Sequence, residues 1–267
     1  MLLKYKKCTN CDTYYEPTLK KCPDCHKINE LYQEKKVPRH IAFLHPIAQG
    51  GLFLGGFSYA GMLLFDLIVS VFVLQFTSDK GVLQAVVNSI VYFLMFGGLL
   101  CIVLFTRRKY FFDKFTNGLN YAYGIGYAIT LVLIGSAFSS IISIFHEVSD
   151  NANQEAAISY AQNYPILAFF VVGIIGPLCE ELTYRVGLYS FLRRINKYLA
   201  IAVTTVVFAF IHFNFDPAGI VDELWALPSY LVAGLILTLA YEHRGPVCSM
   251  TAHVLYNVFA FLVILAS

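Results

Sequence analysis

The sequence contains little charge. Asp, Glu, Lys and Arg together make up 13% of its 267 residues, whereas 58% are hydrophobic, and the mean hydropathy is positive. So low a charge content excludes an ordinary soluble domain and is typical of a polytopic membrane protein. The net charge of +2 is too small to indicate a nucleic-acid-binding surface, so no nucleic-acid partner is expected.

Other familiar signals are also missing. Basic residues and then cysteines follow Met1, rather than an apolar core and a cleavage site, so we expect no secretory signal peptide. The sequence has no internal repeat and no low-complexity tract. The His-Glu-x-x-His motif of many zinc proteases is absent as well.

Four of the seven cysteines lie near the N-terminus, in two Cys-x-x-Cys pairs separated by ten residues: Cys8, Cys11, Cys22 and Cys25. Two such pairs can close a tetrahedral four-sulfur zinc site, and the pattern resembles a zinc ribbon over residues 8–25. His26 is a less favoured further ligand. The alternative is two disulfides, which need an oxidising compartment. The topology argued below puts this segment in the cytoplasm and so favours structural zinc.

The chain therefore divides into two predicted regions. Residues 1–45 form a cytoplasmic zinc ribbon followed by a basic linker at 35–40, and the ribbon is a candidate docking module for a cytoplasmic protein. Residues 46–267 form an all-α transmembrane bundle. Seven apolar runs are long enough to span a bilayer, at about 52–76, 82–105, 119–145, 164–193, 197–215, 224–241 and 246–266.

Charge is distributed unevenly between these runs. Nine Lys and Arg lie in residues 1–45, and further cations follow the second and fourth runs and precede the seventh. In contrast, residues 146–163 and residues 214–223 each contain three acidic residues and no Lys or Arg. The positive-inside rule then predicts a multi-pass protein of the cell membrane, with its N-terminus in the cytoplasm and its C-terminus outside.

Two adjacent carboxylates, Glu180 and Glu181, lie within the fourth apolar run. Charged groups at bilayer depth are costly and usually mark a functional site. Glu181 and Arg185 are four residues apart on one helix face and are expected to pair, whereas Glu180 lies about 100° round the helix from Glu181. The plainer alternative is a buried ion pair with a spare carboxylate near an interface.

Three further polar side chains, His212, His253 and Asn257, lie in the later apolar runs. At 1.5 Å per helical residue, Glu180 lies roughly 20 Å from the basic end of its helix, and His212 about 22 Å. His253 and Asn257 lie about 13 and 19 Å from theirs. Side chains of separate helices thus reach nearly the same level of the bilayer. We expect them to form one site.

Pro177 precedes Glu180 by three residues. Proline lacks an N–H, so we expect it to kink the helix and release the carbonyl of Gly173 near the site. Such a break is tolerated only where protein or a water-filled cavity satisfies the backbone, which predicts a water-accessible cleft. Asp66, in the first run, could be part of an ion pathway, but we favour a carboxyl group that forms a hydrogen bond between helices.

These residue types fit hydrolysis of an amide in two ways. A carboxylate with a histidine can polarise a water for attack on a carbonyl, while His253 or Asn257 stabilises the oxyanion. Alternatively, Glu180, His212 and His253 are ligands of an active-site zinc ion that carries the water.

Three motifs then stand in order: Glu180-Glu181-x-x-x-Arg185, Phe208-x-x-x-His212 and His253-x-x-x-Asn257. Together they resemble the CPBP family, which comprises type II CAAX prenyl endopeptidases and bacteriocin-processing or immunity proteins. The resemblance covers about residues 160–265. It implies an intramembrane endopeptidase with Glu180, His212, His253 and Asn257 at its site. The ribbon is an addition to this core.

The predicted substrate is a peptide or protein anchored in the lipid bilayer. The compact chain with its short ribbon looks bacterial, so a prenylated substrate is not favoured. A non-catalytic immunity or scaffold protein is the first alternative, and a proton-coupled transporter is the second. Transporters often contain inverted repeats and paired broken helices, whereas one break is visible here.

Overall fold

The structure is a computed structural model that describes residues 6–8, 10–11, 13–15, 19, 21–27, 41, 43–56, 58–77, 79–146 and 151–266. The chain divides into two compact units, Met1–Pro38 and Arg39–Ser267. The basic linker predicted at 35–40 lies outside the described residues.

The first unit contains two short antiparallel strands, β1 (Lys6–Lys7) and β2 (Tyr14–Tyr15), with Lys6 opposite Tyr15. They flank the first Cys-x-x-Cys pair. At the second pair the chain turns back on itself, since the His26 N–H donates to the Cys22 carbonyl at 3.0 Å. His26 has a φ of 57°, in the left-handed region that glycine prefers.

The second unit is helical in its described part. Its helices are α1 (Pro46–Gly55), α2 (Tyr59–Val73), α3 (Lys80–Phe115, with a kink at Arg107), α4 (Gly118–Phe145), α5 (Ala152–Asn163), α6 (Pro165–Arg193), α7 (Lys197–Phe210), α8 (Ile220–Arg244) and α9 (Pro246–Ala266). Two segments of α6, Val171–Ile175 and Glu181–Tyr189, are π-helical.

Local sequence signals set the helix starts. The side chains of Asp79, Asn117, Asn151 and Asn196 each accept a backbone N–H at the start of the helix that follows. Gly245 joins α8 to α9 with a φ of 83°, a conformation that favours glycine over other residues.

Five helices are long and apolar enough to cross a membrane, at Gly81–Arg107, Gly118–Phe145, Pro165–Arg193, Ile220–Arg244 and Pro246–Ala266. This confirms the predicted all-α polytopic membrane class. The first predicted run is divided between α1 and α2, because glycines end α1 and Ser58 caps a new helix. The apolar parts of α2 and α7 are shorter, at Gly61–Val73 and Lys197–Phe210, so a count of seven spans stays a prediction.

Two other expectations change. Residues 146–163, predicted as a loop between spans, contain helix α5, because Asn151 caps a run of good helix formers. Asp66 is exposed on α2, and no hydrogen bond joins it to another described residue, so the predicted hydrogen bond between helices is not seen.

Helix α6 is the centre of the bundle, since every residue from 179 to 190 is buried. Close approaches of glycine fix the helices around it. Gly124 of α4 lies against Thr251 and the Cys248 carbonyl of α9, where a Cβ would come within 2.6 and 2.9 Å of them. Gly234 of α8 lies similarly against Phe208 of α7. These crossings set the positions of the helices that carry the site.

Candidate active site

The backbone of α6 changes register just before the two glutamates. The Gly176 N–H donates to the Val171 carbonyl, five residues back, as in a π-helix. The next bond in this register would join Pro177 to the Val172 carbonyl, but proline has no N–H. Asn257 Nδ2 donates to that carbonyl instead, at 3.0 Å. The expected release of the Gly173 carbonyl was therefore wrong by one residue, because the turn is π rather than α.

Glu181 and Arg185 form the ion pair expected from their spacing. Arg185 Nη1 lies 3.0 Å from Glu181 Oε1, and neither side chain is exposed. Arg185 Nη2 also donates to the Gly234 carbonyl at 3.2 Å, and the guanidinium lies 4.2 Å from the centre of the Phe208 ring. The pair is thus enclosed by α8 and α7.

Glu181 has a second partner that sequence reasoning missed. His253 Nδ1 lies 3.0 Å from Glu181 Oε1. A carboxylate only accepts hydrogen bonds, so Nδ1 carries a proton, and in the neutral tautomer the lone pair of Nε2 lies on the other side of the ring. That nitrogen lies 3.7 Å from Glu180 Oε2. Glu181 therefore fixes both the tautomer and the orientation of His253.

The end of α7 holds one side of the His212 ring. The last turn of α7 tightens, so that the His212 N–H bonds the Ala209 carbonyl and leaves the Phe208 carbonyl to the His212 side chain. His212 Nδ1 lies 2.8 Å from this carbonyl and must donate to it. Nε2 then points its lone pair at Glu180 Oε2, 4.0 Å away. The sequence contains one signal of this arrangement, the Phe208-x-x-x-His212 spacing.

Glu180 lies between the two imidazoles. It is buried, and its Oε2 atom has no hydrogen-bond partner. Two nitrogen lone pairs and one carboxylate oxygen thus converge with no donor among them. A buried acceptor without a donor is costly. The hydrogen-bonding capacity of these three acceptors is satisfied when a water, a proton on an imidazole or a cation lies between them.

A cavity of about 670 Å³ adjoins these groups. Its lining includes Glu180, His212, His253 and Asn257, and also His146, Asn153 and Asp222 from the end of α4 and the starts of α5 and α8. Glu181 and Arg185 are not among its lining residues. The two neighbouring glutamates therefore differ in access, since only Glu180 faces space that a substrate can enter.

The four N-terminal cysteines form a second site. Their Sγ atoms all lie within 4.8 Å of one another, with Cys8 and Cys25 3.6 Å apart and Cys11 and Cys22 3.5 Å apart. A tetrahedral zinc ion with Zn–S bonds of 2.3 Å needs sulfurs about 3.8 Å apart, so the cluster fits zinc. All four are free thiols, which disagrees with the disulfide alternative.

One hydrogen bond in the ribbon agrees with metal binding at Cys8. The backbone N–H of Asn10 donates to Cys8 Sγ at 3.4 Å, and this hydrogen bond lowers the pKa of the Cys8 thiol from its ordinary value. A lower pKa favours the thiolate, which is the form that binds metal. His26 is not part of the group of close ligand atoms among the described residues.

Comparisons with known proteins agree with this geometry. The sequence model of the family described as type II CAAX prenyl endopeptidase Rce1-like matches residues 162–259. This confirms the resemblance predicted from the three motifs: the segment that carries Glu180, His212, His253 and Asn257 is similar to this family.

Curated relatives match over a similar length. The UPF0177 protein YvdC of Lactococcus lactis is 27% identical over 142 residues, which are 53% of this chain and 51% of the relative. The UPF0177 protein in the abiGi 5′ region of Lactococcus lactis subsp. cremoris is 31% identical over 42% of this chain and 45% of its own.

The membrane-embedded CAAX protease MroQ of Staphylococcus aureus is 28% identical over 52% of this chain and 55% of its own. The chain thus spans about half the length of these curated relatives. No solved structure matches the chain.

Proposed function

We propose that the protein is an intramembrane endopeptidase that hydrolyses a peptide bond of a membrane-anchored peptide or protein. The observation that carries the proposal is the unpartnered Glu180 Oε2, which faces the Nε2 atoms of His253 and His212 at 3.7 and 4.0 Å beside a large cavity. The Rce1-like match and the similarity to MroQ, which is named a protease, support the class of reaction.

In the proposed mechanism Glu180 is the general base. It takes a proton from a water as the oxygen of that water attacks the carbonyl carbon of the substrate. Glu180 then gives this proton to the amide nitrogen as the C–N bond breaks, which leaves a carboxylic acid and an amine. The spacing of 3.7–4.0 Å to the imidazoles leaves Oε2 available for the water.

Asn257 is the proposed donor to the oxyanion. One N–H of its amide bonds the Val172 carbonyl, which fixes the group and leaves the second N–H to stabilise the negative charge that develops on the substrate oxygen. His253 can also donate once Nε2 is protonated. The buried Glu181 carboxylate at its Nδ1 stabilises that imidazolium.

The same residues fit an active-site metal by type. Glu180, His212 and His253 would hold a zinc ion through one carboxylate oxygen and two neutral Nε2 atoms, a familiar ligand set for catalytic zinc. When bound, zinc would lower the pKa of the attacking water and polarise the carbonyl.

We further propose that the four-cysteine cluster binds a structural zinc ion and that the ribbon is a cytoplasmic docking module. The spacing of the sulfur atoms supports the metal. So small a unit has little hydrophobic core, and its folding energy would come from the metal.

The proposed orientation places the part of the cavity that His146, Asn153 and Asp222 line towards the outside of the cell. These three residues belong to the segments that have acidic residues and no Lys or Arg. The basic segments lie at the opposite ends of the helices, so the positive-inside rule puts those in the cytoplasm. The substrate would then approach Glu180 from the outer side.

The test of function uses purified protein in liposomes with a membrane-anchored reporter peptide. Glu180→Gln keeps the size of the side chain but cannot accept a proton, and we expect hydrolysis to fall by roughly 10²-fold or more. Glu155→Gln, on the exposed side of α5, is the matched control and should cleave like the wild type. Normal cleavage by Glu180→Gln would refute the proposal, and a scaffold or transporter would show no cleavage at all.

A further inference from the structure

Tyr230 of α8 lies against one of the two imidazoles at the site. Its ring is stacked on that of His212, with centroids 4.6 Å apart and planes 14° from parallel. Both residues line the cavity. Tyr230 belongs to none of the three motifs, and it reaches the site from a different helix.

The hydroxyl of Tyr230 is anchored at the start of α5. It accepts hydrogen bonds from Asn151 Nδ2 at 3.1 Å and Asn153 Nδ2 at 3.2 Å, and it lies 3.3 Å from Asn151 Oδ1. Asn151 is buried and also caps α5. The ring of Tyr230 is therefore held at its outer edge as well as by its own helix.

A second residue of α8 joins the same elements. The buried carboxylate of Glu223 accepts the Ala152 N–H at 3.0 Å through Oε1 and the Asn214 N–H at 3.1 Å through Oε2. One side chain thus ties the first residue of α5 to the segment that follows His212. These two hydrogen bonds hold the start of α5, which bonds the Tyr230 hydroxyl, in place relative to His212.

His212 needs such a support. The single described hydrogen bond of its side chain, from Nδ1 to the Phe208 carbonyl, still permits the ring to tilt about that bond. The Phe208 ring also touches it, but at 52° rather than face to face. Histidine has a broad torsional preference about its second side-chain bond. The parallel face of Tyr230 restricts that torsion and so keeps Nε2 directed at Glu180.

We infer that Tyr230 is a positioning residue, which acts on the reaction through the orientation of His212. The predicted effect of Tyr230 on catalysis rests on the proposed function, whereas its predicted effect on the orientation of His212 does not. The ring acts on His212 directly, whereas the hydroxyl acts only through the position of the ring, so loss of the ring should cost more than loss of the hydroxyl.

The first arm of the test is kinetic, with purified wild type, Tyr230→Leu and Tyr230→Phe on the reporter peptide. Leu removes the stacked ring, and misplacing a reacting group by about 1 Å can cost roughly 10²-fold, so kcat should fall by that order. KM should stay near the wild-type value, because the loss lies in the transition state. Phe keeps the ring and should restore most of kcat.

The second arm needs no activity. Diethyl pyrocarbonate modifies histidine nitrogens, and peptide mass spectrometry reports the rate at each histidine. A freed imidazole should react faster, so the rate at His212 should rise in Tyr230→Leu and return towards the wild-type value in Tyr230→Phe. Tyr160→Leu is the matched control, because Tyr160 bonds Ser89 and does not line the cavity. It should leave kcat and the His212 rate unchanged.

The outcomes separate the two proposals. If the wild type cleaves nothing, or Glu180→Gln cleaves as well as the wild type, the proposed function fails and the His212 rate alone decides the role of Tyr230. An unchanged His212 rate in Tyr230→Leu overturns the inference. So does a normal kcat for that variant in an active enzyme, or a Phe variant as impaired as Leu. Should Leu prevent folding, Tyr230→Met fills the space without a ring and takes its place.

Discussion

Glu180 and Glu181 are adjacent in the chain but have different surroundings. Glu181 is fully enclosed, between the guanidinium of Arg185 and the imidazole of His253. Glu180 lines the cavity and has an oxygen without a partner. A group with compensated charge suits a supporting role, whereas an unpartnered carboxylate beside a cavity suits proton transfer.

Glu181→Gln should chiefly cost stability. It removes the charge that compensates Arg185 where no solvent reaches, and breaking one partner of a buried pair costs about 3–5 kcal/mol. We expect a lower melting temperature and lower expression. Activity should fall as a consequence, and also because His253 loses its hydrogen bond to Glu181. A thermal melt in detergent beside Glu155→Gln checks this. A Glu181→Gln protein that is as stable as the wild type but inactive, together with a Glu180→Gln protein that cleaves normally, would mean that the two roles are reversed.

Several features of these residues were predictable from the sequence. Helix periodicity predicts the pairing of Glu181 with Arg185, and the common depth of Glu180, His212 and His253 predicts that they meet. The hydrogen bond from His253 to Glu181 was not predictable, because it joins residues 72 positions apart and depends on how α9 packs on α6. Tyr230 was missed for the same reason.

At the scale of the helix, α6 combines a proline with two π segments. The sequence predicts a break at Pro177 but not its register, because α and π turns differ in which carbonyl the proline leaves free. The outcome depends on Asn257 of a different helix, which bonds the Val172 carbonyl. Helix lengths were predicted better for the long apolar runs than for the segments that form α1, α2 and α7.

The crossing of α4 and α9 gives a test at this scale. An alanine at Gly124 would place its Cβ 2.6 Å from Thr251 Cβ, on the helix that carries His253. Overpacking of this kind costs about 1–3 kcal/mol, so Gly124→Ala should lower the melting temperature and the cleavage rate. Gly126→Ala is the matched control on the same helix, since no atom lies within 4 Å of the added Cβ. Equal melting of the two variants would contradict the close approach.

At the scale of the whole molecule, the orientation has a direct test. In a background with Cys101 changed to Ala, a cysteine introduced at position 113 or at position 155 reports one side of the membrane, since Asp113 and Glu155 are both exposed. Mass spectrometry of the labelled peptides distinguishes the introduced cysteine from the ribbon cysteines, which are also free thiols. An impermeant thiol reagent added to intact cells should label position 155 and spare position 113. Labelling at position 113 and not at position 155 would show that the orientation is the reverse of the proposed one. The part of the cavity lined by His146, Asn153 and Asp222 would then be on the cytoplasmic side.

The two units have separate tasks in this account. The Rce1-like region lies within the helical unit, at residues 162–259, and all of the proposed chemistry lies there. The ribbon contributes the four-cysteine cluster, which is the proposed structural metal site. Changing one of its four cysteines should unfold the ribbon, if the proposed zinc supplies its folding energy, and leave the bundle folded, because the bundle is a separate compact unit.

The most direct test measures cleavage and zinc content together in wild type, Cys22→Ser and Glu180→Gln. Cys22→Ser should lose one zinc per chain and keep its cleavage rate, because the ribbon lies outside the proposed active site. Glu180→Gln should remain folded and lose cleavage by roughly 10²-fold or more, because it lacks the base. Cleavage that survives in Glu180→Gln but disappears in Cys22→Ser would contradict the claim that hydrolysis takes place at Glu180 within the helical bundle.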